Sequence, residues 1–293
     1  MLRLGFGAAA TWAGSGLLGC AQPERRPKPI APSPQPQPGP GGQVARPIPI
    51  GLQLYSVRED CAKDLPAVIT VVAEMGYQGV EFAGYHGRSA AELRRMLDDQ
   101  GLKCCGTHIG LDAISGDTLQ STADFSLALG NRFLIVSSLP PQRLASVEGV
   151  KGAAGIFTEA AAKVRPLGLR VGYHAHAMDF QDLGGQTAWD MLFTNAGPDV
   201  VMQLDTANCM AGGGDPVAIL RKFPGRSATI HLKEHGGPKG AVVGEGVVPW
   251  AEVLEICRTT GGTEWFVVEQ EVYATTPLES VRACLVNLRR LLA

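Results

Sequence analysis

The sequence has almost no excess of charge: 26 Lys and Arg stand against 28 Asp and Glu, a net charge of −2. Aromatics make up only 6% and no basic run occurs past the N-terminal segment. The electrostatic footprint and stacking platforms of a nucleic-acid binder are therefore missing. No apolar run reaches the roughly 20 residues of a membrane-spanning helix. The seven cysteines are Cys20, Cys61, Cys104, Cys105, Cys209, Cys257 and Cys284, and none is in CxxC spacing. That excludes a zinc ribbon and leaves most of them as small buried apolar residues. The first strand-like run, GLQLYSVRED, lacks the glycine fingerprint of a dinucleotide-binding crossover.

What is present begins with an N-terminal segment of unusual composition. Residues 1–20 hold one early positive charge, an uncharged stretch from 4 to 18, and then LLGC ending at Cys20. This is the layout of an export signal. It resembles the lipobox of bacterial lipoproteins, in which the cysteine carries the lipid; an ordinary cleaved signal is the alternative. Residues 21–47 are rich in proline and glutamine, cannot bury a core, and read as an extended tether. The expectation is an exported domain, anchored by lipid on the periplasmic or other extracytoplasmic side, with no other membrane contact.

From residue 48 to 293 short apolar runs alternate with amphipathic stretches. Eight strands are predicted, at 50–56, 79–84, 103–110, 132–138, 169–176, 200–206, 228–235 and 264–271. Helices are predicted at 65–75, 89–100, near 119–129, 157–164, 188–195, 216–223, 251–260 and 277–292. Asp64 with Pro66 marks one helix start, and Ser89 with Glu92 forms a capping box before another. Eight βα units in about 245 residues predict a single-domain (β/α)8 TIM barrel.

In such a barrel the chemistry sits at the carboxyl ends of the strands. His174 and His176 end the fifth strand, Asp205 the sixth, His231 lies near the end of the seventh and Glu269 ends the eighth. Their spacings of 31, 26 and 38 residues are each about one βα unit. Asp205 closes an apolar run, where an isolated carboxylate is costly. Imidazole and carboxylate are ligands of divalent cations, and a cation beside Asp205 would remove that cost. His174 and His176 point the same way, so one is expected on metal and the other on substrate. Asp179 competes with His174 for the same role. Glu81 and His108 end strands two and three on the same rim.

The motifs GLQLYSVR, GYQGVEFAG, GYHAHAMDF, LDTANC, IHLKEH, GEGVVPW and VVEQE run in order from Gly51 to Glu271. Together they resemble the sugar phosphate isomerase/epimerase family, the xylose-isomerase-like barrels, over nearly all of the folded part. The resemblance implies a divalent metal (Mn, Zn, Co or Mg) on His174, Asp205, His231 and Glu269, with His174 standing where many members have glutamate. It implies proton abstraction next to a carbonyl with a metal-stabilised enediolate, in an isomerase, epimerase or dehydratase. Glu269 is the first choice of base and His176 the second, with Lys233 holding a hydroxyl or oxyanion. Glu81, His108, Asn208, Glu245 and Trp250 are expected to bind substrate. Export and the lack of a glycine-rich phosphate cradle favour an unphosphorylated sugar, keto-sugar or cyclitol. The alternatives are a non-catalytic sugar-binding lipoprotein on the same barrel and a metal-dependent, endonuclease-like phosphodiesterase.

Overall fold

A computed structural model of the chain describes residues 47–293. The export signal and lipobox-like cysteine, read from residues 1–20, and the tether, read from residues 21–47, lie outside the described residues up to residue 46. Among these, eight parallel strands follow the alternation: β1 (Ile50–Gln53), β2 (Gly79–Ala83), β3 (Lys103–Ile109), β4 (Phe133–Val136), β5 (Arg170–His174), β6 (Val201–Gln203), β7 (Thr229–Leu232) and β8 (Trp265–Val268). Nearly every strand residue is buried, as a parallel sheet covered on both faces requires. Each strand except β6 pairs with the next along the chain, and β1 pairs with β8. Between β6 and β7 the ring is closed by one isolated parallel bridge, Asp205 to His231, with His231 N–H donating to Leu204 O at 2.8 Å. Two predicted site residues thus complete the TIM barrel.

The helices are α1 (Arg58–Met75), α2 (Ala90–Asp99), α3 (Thr118–Leu129), α4 (Pro141–Leu144), α5 (Val147–Val164), α6 (Ala188–Asn195), α7 (Thr206–Ala211), α8 (Pro216–Lys222), α9 (Trp250–Thr259) and α10 (Pro277–Leu292). Helix α1 is kinked at Asp64, whose Oδ1 accepts from Ala67 N–H at 3.0 Å. The predicted start at residue 65 is the start of its second segment. The capping box of Ser89 and Glu92 forms as expected. Helix α5 begins ten residues before its predicted start, because GVKGAAG there packs small residues whose periodicity is faint. Helices α4 and α7 are too short to leave a periodic signal.

The apolar core lies between barrel and helices, with Phe157, Tyr173, Trp189 and Phe193 fully buried. Inside the barrel, toward the carboxyl ends, the filling is polar instead: Gln53, Glu81, Gln203, Thr229 and His231 are all fully buried. Gly106 on β3 makes room there, since a side chain at that point would collide with the Glu81 carboxylate. The six cysteines among the described residues are free and buried, as small apolar groups.

Candidate functional site

Asp205 N-caps α7: its Oδ1 accepts from Asn208 N–H at 2.7 Å. Its Oδ2 is buried and has no hydrogen-bond partner among the described residues. His231 Nδ1 and Lys233 Nζ both stand 3.9 Å from it, beyond hydrogen-bond reach. Burial raises the Asp205 carboxyl to about 6, against the opposing pull of Lys233. His231 is held on both ring nitrogens: Nδ1 is 2.5 Å from Glu269 Oε2 and Nε2 is 2.5 Å from Glu81 Oε2. Burial alone would lower its pKa, but the two carboxylates outweigh burial and push it up to about 10. Burial would likewise raise Glu269, yet Lys233, 3.4 Å from Oε1, and His231 hold it well below the usual carboxylate range. His174 is kept neutral, first by burial and then by the positive charge of His231 nearby.

One donor atom from each of His174, Asp205, His231 and Glu269 lies within 4.8 Å of the other three. Ligands held at 2.0–2.2 Å from a common centre are at most about 4.4 Å apart, so small side-chain adjustments bring this set to coordination distance. Around it stand the carboxylates of Glu81, Asp205, Glu269 and Glu271 against the cations Lys233 and His231. The surplus charge is negative, and all of it but Glu271 is buried.

Glu81 does not face a ligand as expected. It is fully buried, accepts from Gln53 Nε2 at 2.8 Å and Gln203 Nε2 at 2.9 Å, and carries His231 and, at 3.2 Å, His108. Both oxygens are committed, so it holds the histidines rather than a sugar hydroxyl. Gln203, Gln53 and Thr229 are the partners that sequence reasoning missed. The one signal was a glutamine inside the apolar run VMQLD, two residues before Asp205 and so on the same side of the strand. Replacing Glu81 by alanine is expected to cost about 3–5 kcal/mol in a denaturant titration of the metal-free protein, because it strands a buried imidazolium. Glu81→Gln, which keeps the shape and one acceptor, is expected to cost less.

Above the donor set lies a cavity of about 360 Å³, lined by Tyr55, Ala83, His108, Ser137, Ser138, His174, His176, Glu269 and Glu271. No Lys or Arg lines it. The His176 ring faces this cavity, its Nδ1 is buried without a partner among the described residues, and burial lowers its pKa. His108 also lines the cavity, with Nε2 2.8 Å from Gln203 Oε1. Asp179 is not in the donor set: Oδ1 accepts from Tyr173 OH at 2.7 Å and Oδ2 from His176 N–H at 2.6 Å, and the group is fully buried under the strand end.

Three further expectations are corrected by the loops. Trp250 starts α9, and its indole N–H donates to Glu234 Oε2 at 2.8 Å. Glu234 also accepts from the N–H groups of His235, Gly244 and Val248, so it clamps the whole GEGVVPW loop. Glu245 turns back onto Val242 N–H at 3.1 Å. Trp250 and Glu245 therefore shape the loop, and neither lines the cavity. Asn208 donates to Ala175 O at 2.9 Å and accepts from Lys233 Nζ at 3.3 Å, tying the β5 and β6 ends to Lys233. Lys233 sits among Asp205, Glu269 and Glu271, and its ammonium balances charge there; its pKa is raised by these carboxylates despite burial.

Comparison with known proteins gives a consistent picture. The model of the xylose isomerase-like TIM barrel family matches residues 69–288. An inosose dehydratase of Geobacillus kaustophilus is 26% identical over 198 residues, covering 57% of this chain and 61% of that enzyme, so the match spans less than two thirds of it. A crystal structure of a sugar phosphate isomerase/epimerase from Parabacteroides distasonis superposes with a TM-score of 0.73 at 25% identity, over 82% of this chain and 97% of that one. The IolI protein, crystallised with a bound zinc atom, superposes with a TM-score of 0.64 at 14% identity, over 83% and 97%, a likeness of fold. With the family model covering most of the barrel, this chain belongs to the xylose isomerase-like TIM barrel family.

Proposed function

We propose that the protein is a divalent-metal-dependent enzyme that removes a proton next to the carbonyl of an unphosphorylated keto-sugar or cyclitol. Dehydration is the outcome we favour over isomerisation or epimerisation. The observation that carries this reading is the convergence of His174, Asp205, His231 and Glu269 from four consecutive strand ends, with one oxygen of Asp205 buried and unpartnered among the described residues. Two carboxylates and two imidazoles suit Zn²⁺, Mn²⁺ or Co²⁺, and the negative surplus of the pocket suits a cation.

Bound there, a divalent cation supplies Lewis acidity, which polarises a carbonyl and acidifies the adjacent C–H bond. The protein's own residues do the rest. His176, neutral and facing the cavity, takes the proton. Glu269 is tied to His231 and Lys233, which makes it a weak base and a good ligand, so its role as first-choice base passes to His176. Ser137, Ser138 and His108 line the wall where hydroxyls would sit. A volume of about 360 Å³ is at the small end of ligand pockets, roughly 300–1,000 Å³, and suits a single ring. Its lining has two carboxylates and no Lys or Arg, which disfavours a phosphate. Histidine at position 174 leaves the site without a second, symmetric carboxylate, and this favours elimination, as does the dehydratase relative. The reading of residues 1–20 as an export signal and 21–47 as a tether is part of the same proposal and fits a free sugar better than a sugar phosphate.

The test is solvent deuterium uptake. Metal-loaded protein is incubated in D₂O with an inosose, with free keto-sugars and with their phosphorylated counterparts, and followed by mass spectrometry and enone absorbance. Deuterium entry or enone formation with a free compound, abolished by chelation, is the expected result. No reaction with any compound would overturn the enzymatic reading, and turnover confined to phosphorylated compounds would overturn the substrate class.

A further inference from the structure

We infer that Gln203 is a positioning residue that fixes the tautomers of His174 and His108, so that a histidine serves in the donor set. This rests on the metal reading above. One end of the Gln203 amide lies 2.9 Å from Glu81 Oε1 and 2.9 Å from Thr229 Oγ1. Glu81 already accepts from Gln53 Nε2, whose own Oε1 is taken by Tyr55 N–H, and it lies against the ring nitrogens of His231 and His108, so it is surrounded by donors and accepts. The amide NH₂ must face it. The amide carbonyl then faces the histidines: Oε1 is 3.1 Å from His174 Nδ1 and 2.8 Å from His108 Nε2.

A carbonyl only accepts, so both imidazoles must donate to it. His174 therefore carries its proton on Nδ1, and its Nε2 keeps a free lone pair. That is the nitrogen a cation needs. A carboxylate ligand presents a lone pair in any orientation, whereas a neutral histidine does so only in the correct tautomer. The chain Glu81–Gln203–His174 supplies that choice, running from a buried negative charge through one amide to the ring. His231 differs, since a carboxylate holds each of its ring nitrogens, Glu81 on Nε2 and Glu269 on Nδ1.

Gln203, His174 and Glu81 are all nearly or fully buried, so no water competes for these bonds. The residue thus acts through His174 and His108 and does not itself line the cavity.

The experiment reads tautomers and affinity rather than turnover. Long-range ¹H–¹⁵N spectra of the metal-free protein, with His174 assigned by mutation, report which ring nitrogen is protonated. Isothermal titration with Co²⁺ reports binding to wild type, Gln203→Leu, Gln203→Met and, as a control of comparable destabilisation, Leu220→Ala in the α8 core. The wild type is expected to show His174 protonated on Nδ1. Both Gln203 variants are expected to lose that single tautomer and to bind Co²⁺ about 10- to 100-fold more weakly. Leu220→Ala is expected to bind as wild type does. Protonation of wild-type His174 on Nε2, or undiminished Co²⁺ affinity in a folded Gln203 variant, would overturn the inference. If wild type bound no Co²⁺, the metal reading would fall with the affinity arm, and the tautomer spectrum would still decide the role of Gln203. That spectrum needs no variant of Gln203 to fold.

Discussion

Asp205→Asn is expected to make the metal-free protein more stable and the enzyme inactive. Asparagine caps α7 as well as aspartate does, so the bond from Asn208 N–H survives. What is lost is a buried negative charge whose second oxygen has no partner among the described residues. The sign follows from linkage. The carboxyl is raised to about 6 in the folded protein from 3.8. Its contribution is fully favourable below pH 4 and is lost as pH rises through 6. At neutral pH the metal-free wild type therefore carries a penalty of about 1–3 kcal/mol that the asparagine removes, read as a rise of several degrees in Tm. Divalent metal should raise the Tm of wild type and leave that of the variant unchanged. Losing this ligand should remove about 4 kcal/mol of transition-state stabilisation, a loss of activity on the order of 10³-fold. A variant that is both less stable without metal and still stabilised by it would refute this role for Asp205.

His176→Gln is expected to lower kcat by about 10²- to 10⁴-fold while metal affinity stays within a few-fold of wild type. The ring lines the cavity, and among the described residues its Nδ1 answers to no other group. Burial lowers its pKa from 6.5, so the imidazole is neutral and able to accept a proton at physiological pH. At saturating metal the wild-type kcat should fall on an acid limb lying below pH 6.5, and the glutamine variant should lack this limb. If instead the variant kept its rate but lost its metal, His176 would be a ligand and not a base.

The spacing of apolar runs was enough to read eight βα units, because each strand lies buried on both faces and the longer helices leave their own periodicity. It also placed His174, Asp205, His231 and Glu269 at four successive strand ends. What spacing could not convey was partnership. Glu81 sits at a strand end like the others, yet it turns inward onto His231 and His108, a choice decided by Gly106 on the next strand leaving room for it. Gln203 looked like one polar residue in an apolar strand, and its importance depends on four groups far away in sequence. Trp250 and Glu245 lie in a glycine-rich rim loop, where sequence alone suggests a pocket wall. Glu234, fourteen residues before Val248, draws both the loop backbone and the Trp250 indole to itself. Asp179 shares the strand end with His176 but is consumed in capping it.

One divalent cation is expected to sit among these four side chains. An anomalous difference map from crystals grown with Mn²⁺ or Zn²⁺, collected at the metal edge, tests it most directly. One peak per chain is expected, about 2.0–2.3 Å from an atom of each of His174, Asp205, His231 and Glu269. No peak there, or one held by His108, His174 and His231 away from Asp205, would contradict it.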